Sequence, residues 1–295
     1  MRPVYQSLSS IGEALGAQLR VWDITGDTRP DLARLRSLIN RRTRLVILNF
    51  PHNPTGTTLH ADEFSEVVSI LDHWGVFLLW DGCLSDLVYD APALPDPTTL
   101  LERCMSVGSL SKAYGLPGLR VGWSIAPAAV QQRMVSLRDY TSINTSPLCE
   151  LIATEVLGAA DQVIRPRLQQ ATTNRRLLTQ WLEGSRPLAR CAIPGGGVTA
   201  FPSFPDFSDV RPLCEDLADR HGVLVVPGDC FGYPNRMRIG FGGPTDEFAA
   251  GLQKLAATAA FHLRRTTAFG VLADAVDTDM TRRLSRCASE LDGGR

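Results

Sequence analysis

Residues 44–80 narrow the range of folds before any other part of the chain does. Leu45-Val46-Ile47-Leu48 is a continuous apolar run inside the segment Arg44 to Phe50, and Val76 to Trp80 repeats it after a helix-patterned stretch from Ala61 to His73. A strand that is apolar at every position must be covered on both faces, as the central strands of a parallel sheet are. Strand, helix and strand in that order predict a doubly wound α/β domain, in which ligands sit off the carboxyl ends of the strands. Both runs end there in polar residues. The first leads into Asn49-Phe50-Pro51-His52-Asn53-Pro54-Thr55-Gly56, a loop stiffened by prolines, and the second into Asp81-Gly82-Cys83. An isolated Asn-Pro-Thr-Gly is a plain turn. An aspartate closing a buried strand is costly unless it meets a cation.

A third strand, Met105 to Leu110, runs into Ser109-Leu110-Ser111-Lys112-Ala113-Tyr114-Gly115-Leu116-Pro117-Gly118-Leu119-Arg120-Val121-Gly122-Trp123. The cations of this chain are almost all arginine, and Lys112 and Lys254 are its only lysines. Arginine stays charged, whereas a lysine amine can be deprotonated by its surroundings and used as a nucleophile or base. Ser109 and Arg120 flank Lys112, offering a hydroxyl and a guanidinium suited to an anion such as phosphate. A P-loop is excluded, because its glycines precede the lysine and a Ser or Thr follows it, whereas here Ala113 follows and the glycines come after.

The lysine-bearing run resembles the cofactor motif of the class I and II aminotransferases, which are fold-type-I pyridoxal-phosphate (PLP) enzymes. The likeness extends from about Pro3 to about Phe261. It implies an aspartate aminotransferase-like α/β fold, with a mostly parallel large domain over residues 1–163 and a smaller α/β domain over 164–263. It also implies a role for each matching residue. Lys112 carries PLP and serves as general base, Asp81 pairs with the pyridine nitrogen, and Asn53 bonds the phenolic oxygen. Ser109 and Arg120 hold the phosphate, Tyr5 stacks on the ring, and Arg238 clamps the substrate carboxylate. Within the family the likeness is greatest to a branch that cyclises a 3-hydroxyarginine with loss of water. Amino transfer to a 2-oxo acid is the alternative, and an inactive truncated remnant is a third reading. Where many aminotransferases have a tyrosine three residues after the aspartate, this chain has Leu84, which removes a donor to the phenolic oxygen. Family members carry a preceding part of the large domain with a phosphate-binding loop, so an N-terminally incomplete large domain is expected. A homodimer whose subunits share each site is expected too.

The rest of the chain fits this outline. With 295 residues and 44% apolar content it can bury a sizeable core in two lobes. A net charge of −1 suggests no nucleic-acid or membrane partner, and the absence of a long apolar run or a signal-peptide layout suggests the cytoplasm. The 7 cysteines (83, 104, 149, 191, 214, 230 and 287) are scattered without a Cys-x-x-Cys pair. They are read as mostly buried small apolar residues, neither a disulfide framework nor a metal site. Spacing predicts helices over 7–17, 31–40, 128–138 and 211–220, and a helical stretch over 147–181 interrupted near Gly158 and Pro166. It also predicts a helix over 244–263 and strands over 19–24, 121–126, 191–193, 198–201, 223–226 and 237–241. Pro194-Gly195-Gly196-Gly197 is read as a strand-entry turn, not a phosphate loop, and Arg236 and Arg238 share one strand face, ordinarily a solvated one. Residues 264–295 carry Phe269, Leu272, Val276, Met280 and Leu284 at helical intervals, predicting an amphipathic helix.

Overall fold

The computed structural model of the protein describes residues 1–27, 29–185 and 188–264. The predicted helix over 264–295 and Cys287 lie outside the described residues, save for residue 264. Two sheets organise what is described. The first has strands β1 (Leu45–Asn49), β2 (Phe77–Asp81), β3 (Cys104–Ser109) and β4 (Gly122–Ile125) in that spatial order. β1 to β3 are parallel and β4 is antiparallel to β3. Helix α3 (Ala61–Trp74) makes the β1-to-β2 crossover. Its start is fixed by a capping box between His60 and Glu63, and its end by Gly75 at φ 58°, a left-handed conformation that glycine adopts at little cost. The inward stripe of Phe64, Val67, Ile70 and Leu71 meets Leu48, Leu78 and Trp80 on one face of the sheet. Helix α2 (Leu32–Leu38), N-capped by Asp31, adds Leu35 to this core.

A second core gathers Leu84, Leu87, Leu110, Ala113 and Tyr114 with Ala153 of α5 (Pro147–Gly158). Helix α6 (Ala160–Gly184) then joins the two halves. Its Val163, Ile164 and Leu168 lie on this second core, while Leu178 and Leu182 belong to a third. The third core surrounds the small sheet, in which β7 (Met237–Gly240) lies between β5 (Thr199–Ala200) and β6 (Val226–Pro227) and is antiparallel to both. Helix α7 (Arg211–His221) and a closing helix α8 (245–264) pack on it through Leu213, Leu217, Leu252 and Leu255. The short helices α1 (Ser7–Ala14) and α4 (Ala128–Arg138) bury no residue fully.

Three expectations are corrected. Residues 19–24 make only one bridge, Arg2 to Asp23, and no strand. Residues 191–193 likewise give way to a single bridge between Arg190 and Ser203. Pro166 lies inside α6 without ending it. It stands in the second turn, where the missing N–H removes one bond, and burial of Ala171, Asn174, Leu178 and Leu182 holds the rest. Of the six cysteines described, Cys104 and Cys214 are buried, whereas Cys83, Cys149 and Cys191 are partly exposed and Cys230 is exposed. The reading of mostly buried cysteines therefore holds for two positions only. Among the described residues, no helix is long and apolar enough to cross a membrane.

Candidate functional site

Polar residues gather at the carboxyl ends of β1 and β2, as an open parallel sheet requires. Asn49 and Asp81 are register partners at those ends. The buried Asn49 side chain joins the two loops: its Nδ2 donates to the Asp81 carbonyl at 3.0 Å, and its Oδ1 accepts from the Asn53 amide at 2.8 Å. Sequence reading assigned Asn49 no role. The available signal was a polar residue ending an otherwise apolar run. Asn53 Oδ1 in turn accepts from Arg238 Nη1 at 3.2 Å, which brings the small sheet to the edge of the large one.

Arg238 lies half-buried on β7, with its guanidinium 5.6 Å from the Phe231 ring centroid. Burial pulls its pKa below the ordinary value, and the neighbouring Cys230 and Tyr5 act in the other direction. Tyr5 is thus close enough to Arg238 to be felt, although 55% of it is exposed. Asp81 Oδ1 accepts from the Cys83 amide at 3.1 Å, and no ion pair engages the carboxylate among the described residues. The Cys83 thiol is pushed up to about 12, mainly by burial and then by Asp81, while the Lys112 charge works against the shift. Asp81, Cys83 and Lys112 therefore share one electrostatic neighbourhood.

The lysine turn is held from below. Ser109 Oγ accepts from the Ser111 amide at 3.0 Å, and the Leu110 amide donates to the Val121 carbonyl at 3.2 Å. Gly115 has φ 68°, a left-handed conformation that glycine adopts at little cost, and it lies against the Arg167 guanidinium of α6. The Lys112 side chain is exposed and makes no hydrogen bond or ion pair among the described residues. Arg120 has φ 55°, unusual for a non-glycine residue, and its Nη1 donates to the Pro117 carbonyl at 2.9 Å.

Two further readings are resolved by backbone bonding. In Pro194-Gly195-Gly196-Gly197 the amides of Gly195 and Gly196 both donate to the Gly56 carbonyl, and that of Gly197 donates to Leu87. With its donors spent, the turn is no phosphate cradle. It fastens the Asn53 loop to the small sheet. Leu84, in place of the family's tyrosine, is 6% exposed and packs with Leu87, Leu110 and Tyr114, so its position serves the core. Arg236, far from a solvated face, is 8% exposed.

PLP needs an amine to hold its aldehyde, a carboxylate for its pyridinium and a hydroxyl and cation for its phosphate. The donor set fits: among the described residues Lys112 makes no hydrogen bond and Asp81 is a partly buried carboxylate without an ion pair, and Ser109 and Arg120 stand on either side of the lysine turn.

Comparison with known proteins shows the family to which the chain belongs. The chain is 46% identical over 264 residues to capreomycidine synthase from Streptomyces vinaceus, covering 89% of this chain and 68% of that one. The crystal structure of the PLP-dependent cyclase OrfR superposes with a TM-score of 0.84 at 36% identity, over 88% of this chain and 71% of that one. An aspartate aminotransferase double mutant from Thermus thermophilus, at 21% identity, shares the fold with a TM-score of 0.79, over 87% of this chain and 68% of that one. The chain spans about two thirds of the length of these relatives, and 61% of the aspartate aminotransferase of Rhizobium meliloti. The family model for aminotransferase class I and II matches residues 1–255. With an aspartate aminotransferase-like fold and this donor set at its strand ends, the chain belongs to the class I and II aminotransferase family of PLP-dependent enzymes.

Proposed function

We propose that the protein is a PLP-dependent cyclase that removes water from a 3-hydroxyarginine-like amino acid and closes a ring through the guanidine. The observation that carries this reading is the convergence of Arg238, Asn53, Asn49 and Asp81 at the strand ends, in the neighbourhood of Lys112, in a chain 46% identical to capreomycidine synthase. When bound, PLP supplies an aldehyde that binds amines reversibly and a ring that stabilises negative charge at the substrate's Cα. Lys112 would hold that aldehyde, and its amine is the base placed to take the substrate's Cα proton. Asp81 would keep the ring nitrogen protonated. Ser109 and Arg120 would hold the phosphate, and Tyr5 and Asn53 would hold the ring and its phenolic oxygen. Arg238 pairs with the substrate carboxylate through its planar fork. The Cβ–O bond breaks, a guanidine nitrogen bonds to Cβ, and water leaves with no net oxidation.

The division into a cofactor domain over 1–163 and a small domain over 164–263 belongs to the same reading. It is supported by α6, which starts on one core and ends on another. So do a homodimeric state and a cytoplasmic setting.

The test is a visible absorbance spectrum of the purified protein with added PLP, before and after borohydride, beside Lys112→Ala. A lysine-dependent band that reduction fixes is expected, followed by conversion of 3-hydroxyarginine to a product lighter by one water. A keto acid with no cyclic product would assign transamination instead. No band in the unmodified chain would sink the reading.

A further inference from the structure

Arg238 is held by more than Asn53. Its guanidinium carbon lies 5.6 Å from the centroid of the Phe231 ring, and that of Arg236, two residues earlier, lies 5.6 Å from the Phe201 ring. The two rings meet edge to face, with centroids 5.4 Å apart and 76° between their planes, an arrangement that aromatic pairs favour. Arg236, Phe201, Phe231 and Arg238 therefore form one continuous stack, and its inner ring, Phe201, is fully buried.

The outer ring is fixed as well. Phe231 ends the short 3-10 turn Gly228–Phe231, which follows β6. Gly228 is buried in that turn; its amide donates to the Arg236 carbonyl at 2.7 Å, and its own carbonyl accepts from the Tyr233 amide at 2.9 Å. A Cβ at Gly228 would lie 2.2 Å from the Tyr233 carbonyl oxygen and 2.3 Å from that of Arg236, so the turn sits hard against the residues that lead into β7. On its other side the Asp229 carboxylate accepts from Arg211 Nε of α7 at 2.9 Å and from the Cys230 amide at 3.0 Å. Strand and helix thus both anchor the turn, and Phe231 is presented to Arg238 from a rigid support.

A guanidinium is flat: its edges donate hydrogen bonds and its faces stack on aromatic rings. In Arg238 Asn53 takes one N–H at 3.2 Å and Phe231 takes a face. The ring attracts the cation and sets its plane. An N–H edge remains in that plane, which is what two parallel bonds to a carboxylate require. We propose that Phe231 is a positioning residue of the substrate site: its ring sets the plane of the Arg238 guanidinium and, through it, the grip on the substrate's α-carboxylate. The inference rests on the reading of Arg238 as the carboxylate clamp. Phe231 acts through Arg238, so its loss is felt in the binding of a carboxylate and not in the binding of the rest of the substrate.

The test compares two probes on the PLP-loaded protein with free cofactor removed: L-arginine, and agmatine, which is arginine without its carboxylate. Neither carries the 3-hydroxyl whose loss precedes ring closure. Titration calorimetry gives both affinities for the unmodified chain, Phe231→Leu, Phe231→Tyr and Arg238→Lys. The unmodified chain should prefer L-arginine by about 30-fold. Phe231→Leu should cut that preference about tenfold by weakening L-arginine alone. Phe231→Tyr should keep it, because tyrosine offers the same face. If Phe231→Leu keeps the preference while Arg238→Lys loses it, the inference is overturned and the clamp stands. If Arg238→Lys keeps it too, the clamp reading falls and the inference falls with it. An equal loss of both probes in Phe231→Leu would give the ring a purely structural role and overturn the inference as well.

Discussion

Arg238 illustrates how a single side chain joins sequence to function. Strand alternation puts it on the same face as Arg236, but their environments differ: Arg238 reaches Asn53 at 3.2 Å, and Arg236 is buried. A planar guanidinium keeps a second N–H edge for a carboxylate while its first is spent on Asn53. Lysine cannot do both. Arg238→Lys should therefore raise KM for the amino-acid substrate about 10- to 100-fold, the equivalent of about 1.5–3 kcal/mol for a charged hydrogen bond, and change kcat much less. Steady-state kinetics decide, and an unchanged KM would remove Arg238 from the substrate site. His52 supports a different prediction. It is fully buried, with Nδ1 2.7 Å from Thr55 Oγ1. Desolvation above all holds its pKa down at about 3, with the N-terminal ammonium adding to the effect and the Pro3 carbonyl opposing it. The folded value lies below the ordinary 6.5, so the unfolded chain binds the extra proton between the two values, and stability falls as pH falls through that window. Each pH unit below 6.5 should cost about 1.4 kcal/mol down to about 3. Urea unfolding from pH 7 to pH 4, beside His52→Asn, checks it: the substitution should flatten the profile. Asp81 stands out in the sequence because it closes an apolar run and Lys112 because lysine is rare, whereas Asn53 comes only with the family resemblance. The linking role of Asn49 was not legible, since nothing in a linear pattern tells which of two asparagines bridges the loops.

Among the elements, those with a full apolar pattern and a physical stop signal were read well. Helix α4 matches its predicted bounds, and β1 to β3 lie within one residue or so of theirs. The errors have a common cause, which is that pattern reports burial and not pairing. Trp22 and Ile24 are buried on either side of the exposed Asp23, the alternation of a strand, yet only Asp23 finds a bridge partner. Glycines separate the two effects experimentally. Gly75, at the end of α3, has φ 58° with open space around it, whereas Gly56 has φ 70° and a Cβ there would lie 2.5 Å from Pro194 and 2.7 Å from the Thr199 carbonyl. Gly75→Ala should cost only the backbone term, about 1–2 kcal/mol. Gly56→Ala adds a clash that the small sheet must absorb, for a total of about 3 kcal/mol or more. Thermal unfolding of both variants measures the difference. Equal losses would mean that the Gly56 loop is not pinned between the two sheets.

At the scale of the whole molecule the open question is what fixes the small sheet against the segment before α2. Arg236 is the main tie. Its guanidinium pairs with both carboxylate oxygens of Asp27, donates to the Phe201 carbonyl at 3.0 Å and lies 5.6 Å from the Phe201 ring centroid. Tyr233 adds a hydroxyl donated to Asp23 at 3.0 Å. The pair is asymmetric: the Arg236 side chain is 9% exposed and that of Asp27 is 43% exposed. Removing the carboxylate strands a buried cation, whereas removing the cation leaves an acid that water can solvate. Asp27→Ala should therefore destabilise more than Arg236→Met. Losses of about 2–3 and about 1–2 kcal/mol are expected, kept below the buried-pair range because Asp27 is partly screened. The double variant should be more stable than Asp27→Ala alone, because methionine fills the space without a charge to desolvate. Urea unfolding of the three variants closes that cycle. If Asp27→Ala were neutral, the ion pair would be a surface ornament, and the orientation of β7, with the Arg238 it carries, would have to be set by the apolar contacts of the small sheet alone.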